Sequence, residues 1–146
     1  MHGVFEREVK ILKALKDLNP DKANIIRWHS TFSTQKLTWI SFELLDQDLR
    51  KYMRGRGQIT STLALPEAEV RPILHQLLTA LHHLKTLGIV PAHLKPDNIL
   101  CVNSAEQPIK VKVADFGLAQ FSSNIDPSQP VQSLCYRAPE VLVGIV

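Results

Sequence analysis

The sequence predicts an α+β domain, and three observations carry that expectation. Apolar residues recur at helical spacing over 4–18 and again over 66–88. Residues 25–33 and 37–45 are rich in β-branched and aromatic side chains. After residue 88 the texture changes to short apolar runs separated by polar loops. The order is helix, two strands, long helix, two strands, long loop, which suits helices packed on antiparallel strands.

In VFEREVKILKALKDL (4–18), Phe5, Val9, Leu12 and Leu15 share one face, with Ile11 and Leu18 flanking. Glu6, Arg7, Lys10, Lys13 and Lys16 take the other side. The helix is expected to stop before NPDKAN, where Pro20 and the Asn and Asp residues signal a turn. IIRWHSTFS and LTWISFELL, separated by the polar TQK, read as a hairpin or two adjacent strands. Asp48 is placed to cap a short helix through Met53 that Gly55 and Gly57 end. In the longest helix, Pro66 sits at the start, and Glu67 and Glu69 lie near the positive end of the dipole. Val70, Ile73, Leu74, Leu77, Leu81 and Leu84 then repeat until Gly88 closes the segment. Pro72, in the second turn, leaves the exact start of this helix open. NILCV and IKVKVA are strand candidates joined by NSAEQP. The segment from Phe121 onward has no period and reads as a long loop.

Composition bounds the function. Hydrophobic residues make up 45% and charged residues 21%, which is a globular balance. The net charge is +3, with Lys and Arg spread along the chain. RKYMRGRG (50–57) reads as a solvated helix end, so no direct nucleic-acid surface is expected. No apolar run is long enough for a bilayer, and the N-terminus lacks a signal-peptide core. Cys101 and Cys135 have no metal-ligand spacing and are expected as thiols in a reducing compartment, nuclear or cytoplasmic.

Three short patterns follow one another: HLKPDN (93–98), ADFG (114–117) after a strand, and YRAPE (136–140). Each alone is weak, but the set in this order and context is specific. Together they resemble the eukaryotic protein kinase fold. VRPILHQLLTALHHLKTLGI, LKPDNIL, QPIKVKVADFG and QSLCYRAPEVLVG are similar to the homeodomain-interacting protein kinases, relatives of the dual-specificity tyrosine-regulated kinases. The resemblance runs from the helix holding Glu8 to just past Glu140. It implies a protein-kinase-like α+β fold truncated at both ends. Residues 1–43 would be a partial N-lobe, and 44–146 a partial C-lobe with hinge, long helix, catalytic loop and activation segment.

The resemblance also implies ATP and Mg²⁺ as cofactors and a protein substrate or partner, with no membrane. Asp115 would hold a Mg²⁺ bridging the nucleotide phosphates, and Asn98 a second ion. Lys95 would lie near the transferring phosphate. Glu8 matches the glutamate that pairs with the ATP-contacting lysine. Phe42, Glu43, Leu44 and Leu45 match the strand end and hinge that meet the adenine. Taken singly, Glu8 and Lys95 also read as solvated charges, Asp115 and Asn98 as turn residues, and Phe42 as strand core.

The pattern departs from the family at its centre. Where relatives have His-Ala-Asp or His-Arg-Asp, this chain has Pro91-Ala92-His93. The family's aspartate accepts the proton of the substrate hydroxyl and orients it. An imidazole can accept a proton, but its nitrogen sits elsewhere, and a displacement of about 1 Å costs on the order of 10²-fold. Pro91 replaces an imidazole that braces the Asp-Phe-Gly region and deletes a backbone N–H. No glycine-rich loop or lysine-bearing strand precedes Glu8 in this sequence, and apolar faces of the long helix are expected to be exposed. The family's tyrosine before Gln132-Ser133 is absent, which leaves Ser122, Ser123, Ser128 and Ser133 as hydroxyls for phosphate. Three readings follow: a catalytically impaired pseudokinase acting by binding, an active ATP-dependent Ser/Thr kinase within a longer chain, and a nucleotide-independent interaction module.

Overall fold

The computed structural model describes residues 2–35, 37–60, 65–125 and 131–144. Ser128 lies outside them. The first helix, α1 (His2–Leu15), ends in a turn in which the Leu18 N–H donates to Leu15 O. The expected turn at NPDKAN contains one helical turn, α2 (Pro20–Ala23). Asn19 caps it by accepting from the N–H groups of Asp21 and Lys22, and Asn24 ends it in the left-handed region at φ 54°. Strands β1 (Trp28–Ser33) and β2 (Thr38–Phe42) pair antiparallel as the hairpin reading requires.

The short strand β3 (Gln47–Asp48) leads into α3 (Leu49–Thr60). Asp48 caps it as expected, its carboxylate accepting from the Lys51 N–H at 2.8 Å. The helix runs past Met53 and through Gly55 and Gly57, which corrects the short-helix expectation. Each glycine costs about 1 kcal/mol in a helix interior. Leu49 and Tyr52 are buried in the core, and Arg56 pairs with Glu69 of the next helix, so tertiary anchoring outweighs that cost.

The longest helix is α4 (Glu67–Thr86). It continues through Pro72, where the missing N–H removes one intrahelical bond. Gly88, at φ 64°, closes the C-terminus by donating to Lys85 O. Strands β4 (Ile89–Val90), β5 (Ile99–Cys101), β6 (Val111–Val113) and β7 (Gln120–Phe121) follow. β3, β5 and β6 form one antiparallel sheet in that order, and β4 pairs with β7. A short helix, α5 (Pro139–Leu142), lies in the segment read as loop. Four residues are too few for a periodic pattern to show, although Pro139 at its first position is a start signal. Helices with antiparallel sheets give the expected α+β class.

Two apolar clusters hold these elements together. In the first, Ile11, Leu12 and Leu15 of α1 meet Ala80 and Leu84 of α4 and Val113 and Phe116 beyond. In the second, Leu49 and Tyr52 of α3 meet Ile73 of α4, Ile99 and Val111. Leu77 packs against both, so α4 is the shared spine. Each fully buried Leu or Ile contributes about 1.5–3 kcal/mol. Gln76 reinforces that spine. Its amide donates to Pro72 O and Ile109 O, and its carbonyl accepts from the Val111 N–H and the Asn24 side chain. Leu74 and Leu78 of α4 are exposed. Among the described residues no helix is long and apolar enough to cross a membrane.

Candidate active site

Three loops converge at the ends of β5 and β6. The 3₁₀ turn Pro96–Asn98 feeds β5, and the Ala114 N–H donates to Asn98 O at 2.9 Å. That bond places Asn98 beside Asp115, which follows β6 with φ 62°. The Asn98 amide donates to His93 O and to Asp115 Oδ2, each at 3.0 Å. The Gly117 N–H donates to Asp115 Oδ1 at 3.2 Å.

The third loop is the segment before α5. The Gln132 N–H donates to Ala92 O at 3.0 Å, joining that segment to the loop carrying His93. Arg137 clamps the same stretch, donating to Val131 O and Gln132 O at 2.9 Å each. Ser133 is thereby held against His93. The ring's Nε2 lies 3.2 Å from Ser133 Oγ, and its Nδ1 lies 2.9 Å from Asp115 Oδ2. The His93 side chain is 18% exposed and that of Asp115 42%.

Of the residues the sequence singled out, His93, Asn98 and Asp115 are therefore brought into direct contact. Glu8 approaches them: a Cβ built on Gly117 would stand 3.3 Å from Asp115 Oδ1 and 3.8 Å from Glu8 Oε2. Burial first, and then the Asp115 charge, push the Glu8 carboxyl above its ordinary range. Lys95 is half-buried in the same loop, and its side chain makes no hydrogen bond or ion pair among the described residues.

The hinge candidates lie apart from this contact set. Phe42 and Leu45 pack against the first core, and Leu44 is 98% exposed. The Glu43 side chain accepts from the Arg27 N–H at 2.7 Å and from Lys112 Nζ at 2.6 Å. Lys112 is 3% exposed and also reaches Asp21 at 2.7 Å, while Asp21 pairs with Arg27. The Lys112 hydrogen bond holds the Asp21 carboxyl below its ordinary range.

Sequence reasoning missed several of these partners. Lys112 alternates with two valines, a pattern that predicts an exposed face, and only Asp21 and Glu43 folded over it explain its burial. Arg50 was also missed. It forks onto Asp97 at 2.7 and 2.9 Å and donates to Tyr136 Oη at 2.7 Å, tying α3 to the turn before Asn98.

The donor set bears on Mg²⁺. Asp115 and Asn98 offer hard oxygens of the type Mg²⁺ takes alongside phosphate oxygens. Among the described residues no group of three or more His, Cys, Asp or Glu side chains gathers as a self-sufficient metal cage. The residues fit an ion whose other ligands come from a nucleotide. An ion held there would draw on Asp115 Oδ2, which His93 and the Asn98 amide already contact.

Comparison with known proteins agrees with this layout. The family model described as protein kinase domain matches residues 2–145. Over 138 residues the chain is 40% identical to homeodomain-interacting protein kinase 1 of Caenorhabditis elegans, covering 94% of this chain and 16% of that protein. It is 41% identical to homeodomain-interacting protein kinase 1 of Mus musculus, with 94% and 11% covered. It is 37% identical over 144 residues to homeodomain-interacting protein kinase 4 of Homo sapiens, with 97% and 23% covered. The chain thus spans less than a quarter of the length of these relatives. The loops that converge on Asp115 and the match over nearly every residue agree: this chain belongs to the protein kinase domain family.

Proposed function

We propose that this chain is a pseudokinase-like member of its family, related to the homeodomain-interacting protein kinases, that acts by binding and is impaired in phosphoryl transfer. One observation carries the reading. His93, which by resemblance takes the position of the family's aspartate, has both its ring nitrogens committed, one to Asp115 and one to Ser133. A substrate hydroxyl needs an acceptor aimed at it within hydrogen-bond reach. Here a hydroxyl of the chain itself, that of Ser133, occupies the second nitrogen.

The other roles follow by resemblance. Asp115 and Asn98 would hold Mg²⁺, which when bound with ATP neutralises phosphate charge. Phe42 and Leu45 would offer apolar contact to the adenine, and the backbone of Glu43 to Leu45 its hydrogen bonds. The Glu43 side chain is turned to Lys112, so only its backbone is available for that task. Glu8 has no lysine among its described contacts, and Lys95 would face the phosphates as a point charge. In this reading residues 1–43 and 44–146 are the two lobe portions, the partner is a protein, and the location is nuclear or cytoplasmic.

The test is phosphotransfer by the purified chain from labelled ATP with Mg²⁺ to a generic basic protein, beside an Asp115→Ala control. The proposal expects equal, background labelling in both. Transfer by the native chain above the control overturns it. A second reading has one observation in its favour: the similar kinases are more than four times longer than this chain. If a longer product carries a glycine-rich loop and its lysine, His93 becomes a substitute base. In that product His93→Asp is then expected to change turnover little, whereas a rise of orders of magnitude supports the impaired reading.

A further inference from the structure

The row Ser133 Oγ, His93 Nε2, His93 Nδ1, Asp115 Oδ2 has a chemistry of its own. Nδ1 lies 2.9 Å from Asp115 Oδ2, and a carboxylate acceptor there selects the tautomer with its proton on Nδ1. Nε2 is then the lone-pair nitrogen, and the Ser133 hydroxyl at 3.2 Å donates to it. That is the order of a serine nucleophile, its base and the carboxylate that orients the base, which is recognised by geometry and not by position in the chain. Asp115 is itself fixed, by the Asn98 amide on Oδ2 and the Gly117 N–H on Oδ1. Ser133 is fixed by the bond from the Gln132 N–H to Ala92 O and by the Arg137 clamp. The family's aspartate at position 93 would leave no imidazole, so the row arises from the histidine that disrupts phosphoryl transfer.

We propose that in the metal-free chain, where no ion competes for Asp115 Oδ2, Ser133 is an activated nucleophile and this chain transfers acyl groups from small carboxylic esters to water. Ser133 Oγ attacks the ester carbonyl carbon while its proton passes to His93 Nε2. The new O–C bond forms as the carbonyl π pair moves to oxygen. Collapse breaks the bond to the alkoxide, which leaves as the alcohol with the proton from Nε2. Water then attacks the acyl-serine, giving a proton to Nε2, and the acid departs as Ser133 recovers its proton. No redox partner is required. Ser133 and His93 are the catalytic residues, and Asp115 is a positioning residue.

The probe is an alkyl fluorophosphonate on the purified full chain, with labelled peptides identified by mass spectrometry. Ser133 is expected to react at least about tenfold faster than Ser122 and Ser123, and to lose that preference in urea. Because general-base assistance gives ~10²–10⁴-fold, His93→Ala and His93→Gln are each expected to slow Ser133 labelling by about 100-fold. Asp115→Asn is expected to slow it too, and to move the ring proton of His93 to Nε2, a spectroscopic change that mere loss of packing does not produce. Release of p-nitrophenolate from p-nitrophenyl acetate, measured in a Cys135→Ala background because that exposed thiol attacks the same ester, is expected to fall with Ser133→Ala. Labelling of Ser133 in the native chain no faster than of the other serines overturns the proposal, as does an unchanged rate in a folded His93 variant.

Discussion

Glu8 shows how a half-buried carboxyl beside another acid carries a stability cost. Its carboxyl is pushed up by burial and by Asp115, so the folded state favours the proton more than the unfolded chain does. The folded state therefore gains from Glu8 below the ordinary carboxylate range, about pH 4.3, and loses that gain as pH rises through the raised folded value. Glu8→Gln is expected to raise the urea midpoint at pH 7 and to leave it unchanged near pH 4. Asp21 and Asp97 run the other way, held down by Lys112 and Arg50, and their contributions fade as pH falls below their ordinary range. Comparing native and variant chains at each pH cancels them. A midpoint lowered by Glu8→Gln at pH 7 would show that Glu8 has a cation partner in solution. His93 and Asp115 were legible one residue at a time, because short motifs fix their neighbours. The bond between them was not, because it depends on a left-handed turn at Asp115 and on Gln132 binding back to Ala92.

Among the elements, α4 was the most legible, since six apolar positions at three and four apart outweigh one proline. The length of α3 was not legible. Gly55 and Gly57 read as a stop, and only the burial of Leu49 and Tyr52 and the pairing of Arg56 carry the helix past them. A Cβ on Gly55 meets nothing within 4 Å. Gly55→Ala is thus expected to stabilise the chain by about 0.5–1 kcal/mol, seen as a higher urea midpoint with unchanged slope. A loss of stability would place the end of α3 at Met53 after all. Gln76 gives the opposite case. All four of its hydrogen-bonding positions are used, joining α4 to β6, to Ile109 and to Asn24 after α2. Gln76→Leu keeps the size but strands the Val111 N–H, so a loss of about 1–3 kcal/mol is expected in the same titration. No loss would mean that water or a neighbour replaces the amide.

At the scale of the whole molecule, the fold class was legible because its motifs fall in a fixed order along an otherwise ordinary α+β pattern. Which residues meet across that fold was less so: Lys112 under Glu43 and Arg50 on Tyr136 join positions 69 and 86 residues apart. The row from Ser133 through His93 to Asp115 is of the same kind, with separations of 40 and 22 residues. It forms only if β6, the catalytic-type loop and the segment before α5 dock together. The proposed impairment of phosphoryl transfer and the proposed reactivity of Ser133 both rest on it. The ring tautomer of His93 therefore reports on the assembled molecule, and nitrogen-15 NMR of the imidazole reads it directly. The proton of the neutral ring is expected on Nδ1, with Nε2 accepting, and that preference is expected to vanish on unfolding in urea. A proton on Nε2 in the native chain, or a ring that averages freely between the two forms, would contradict the account.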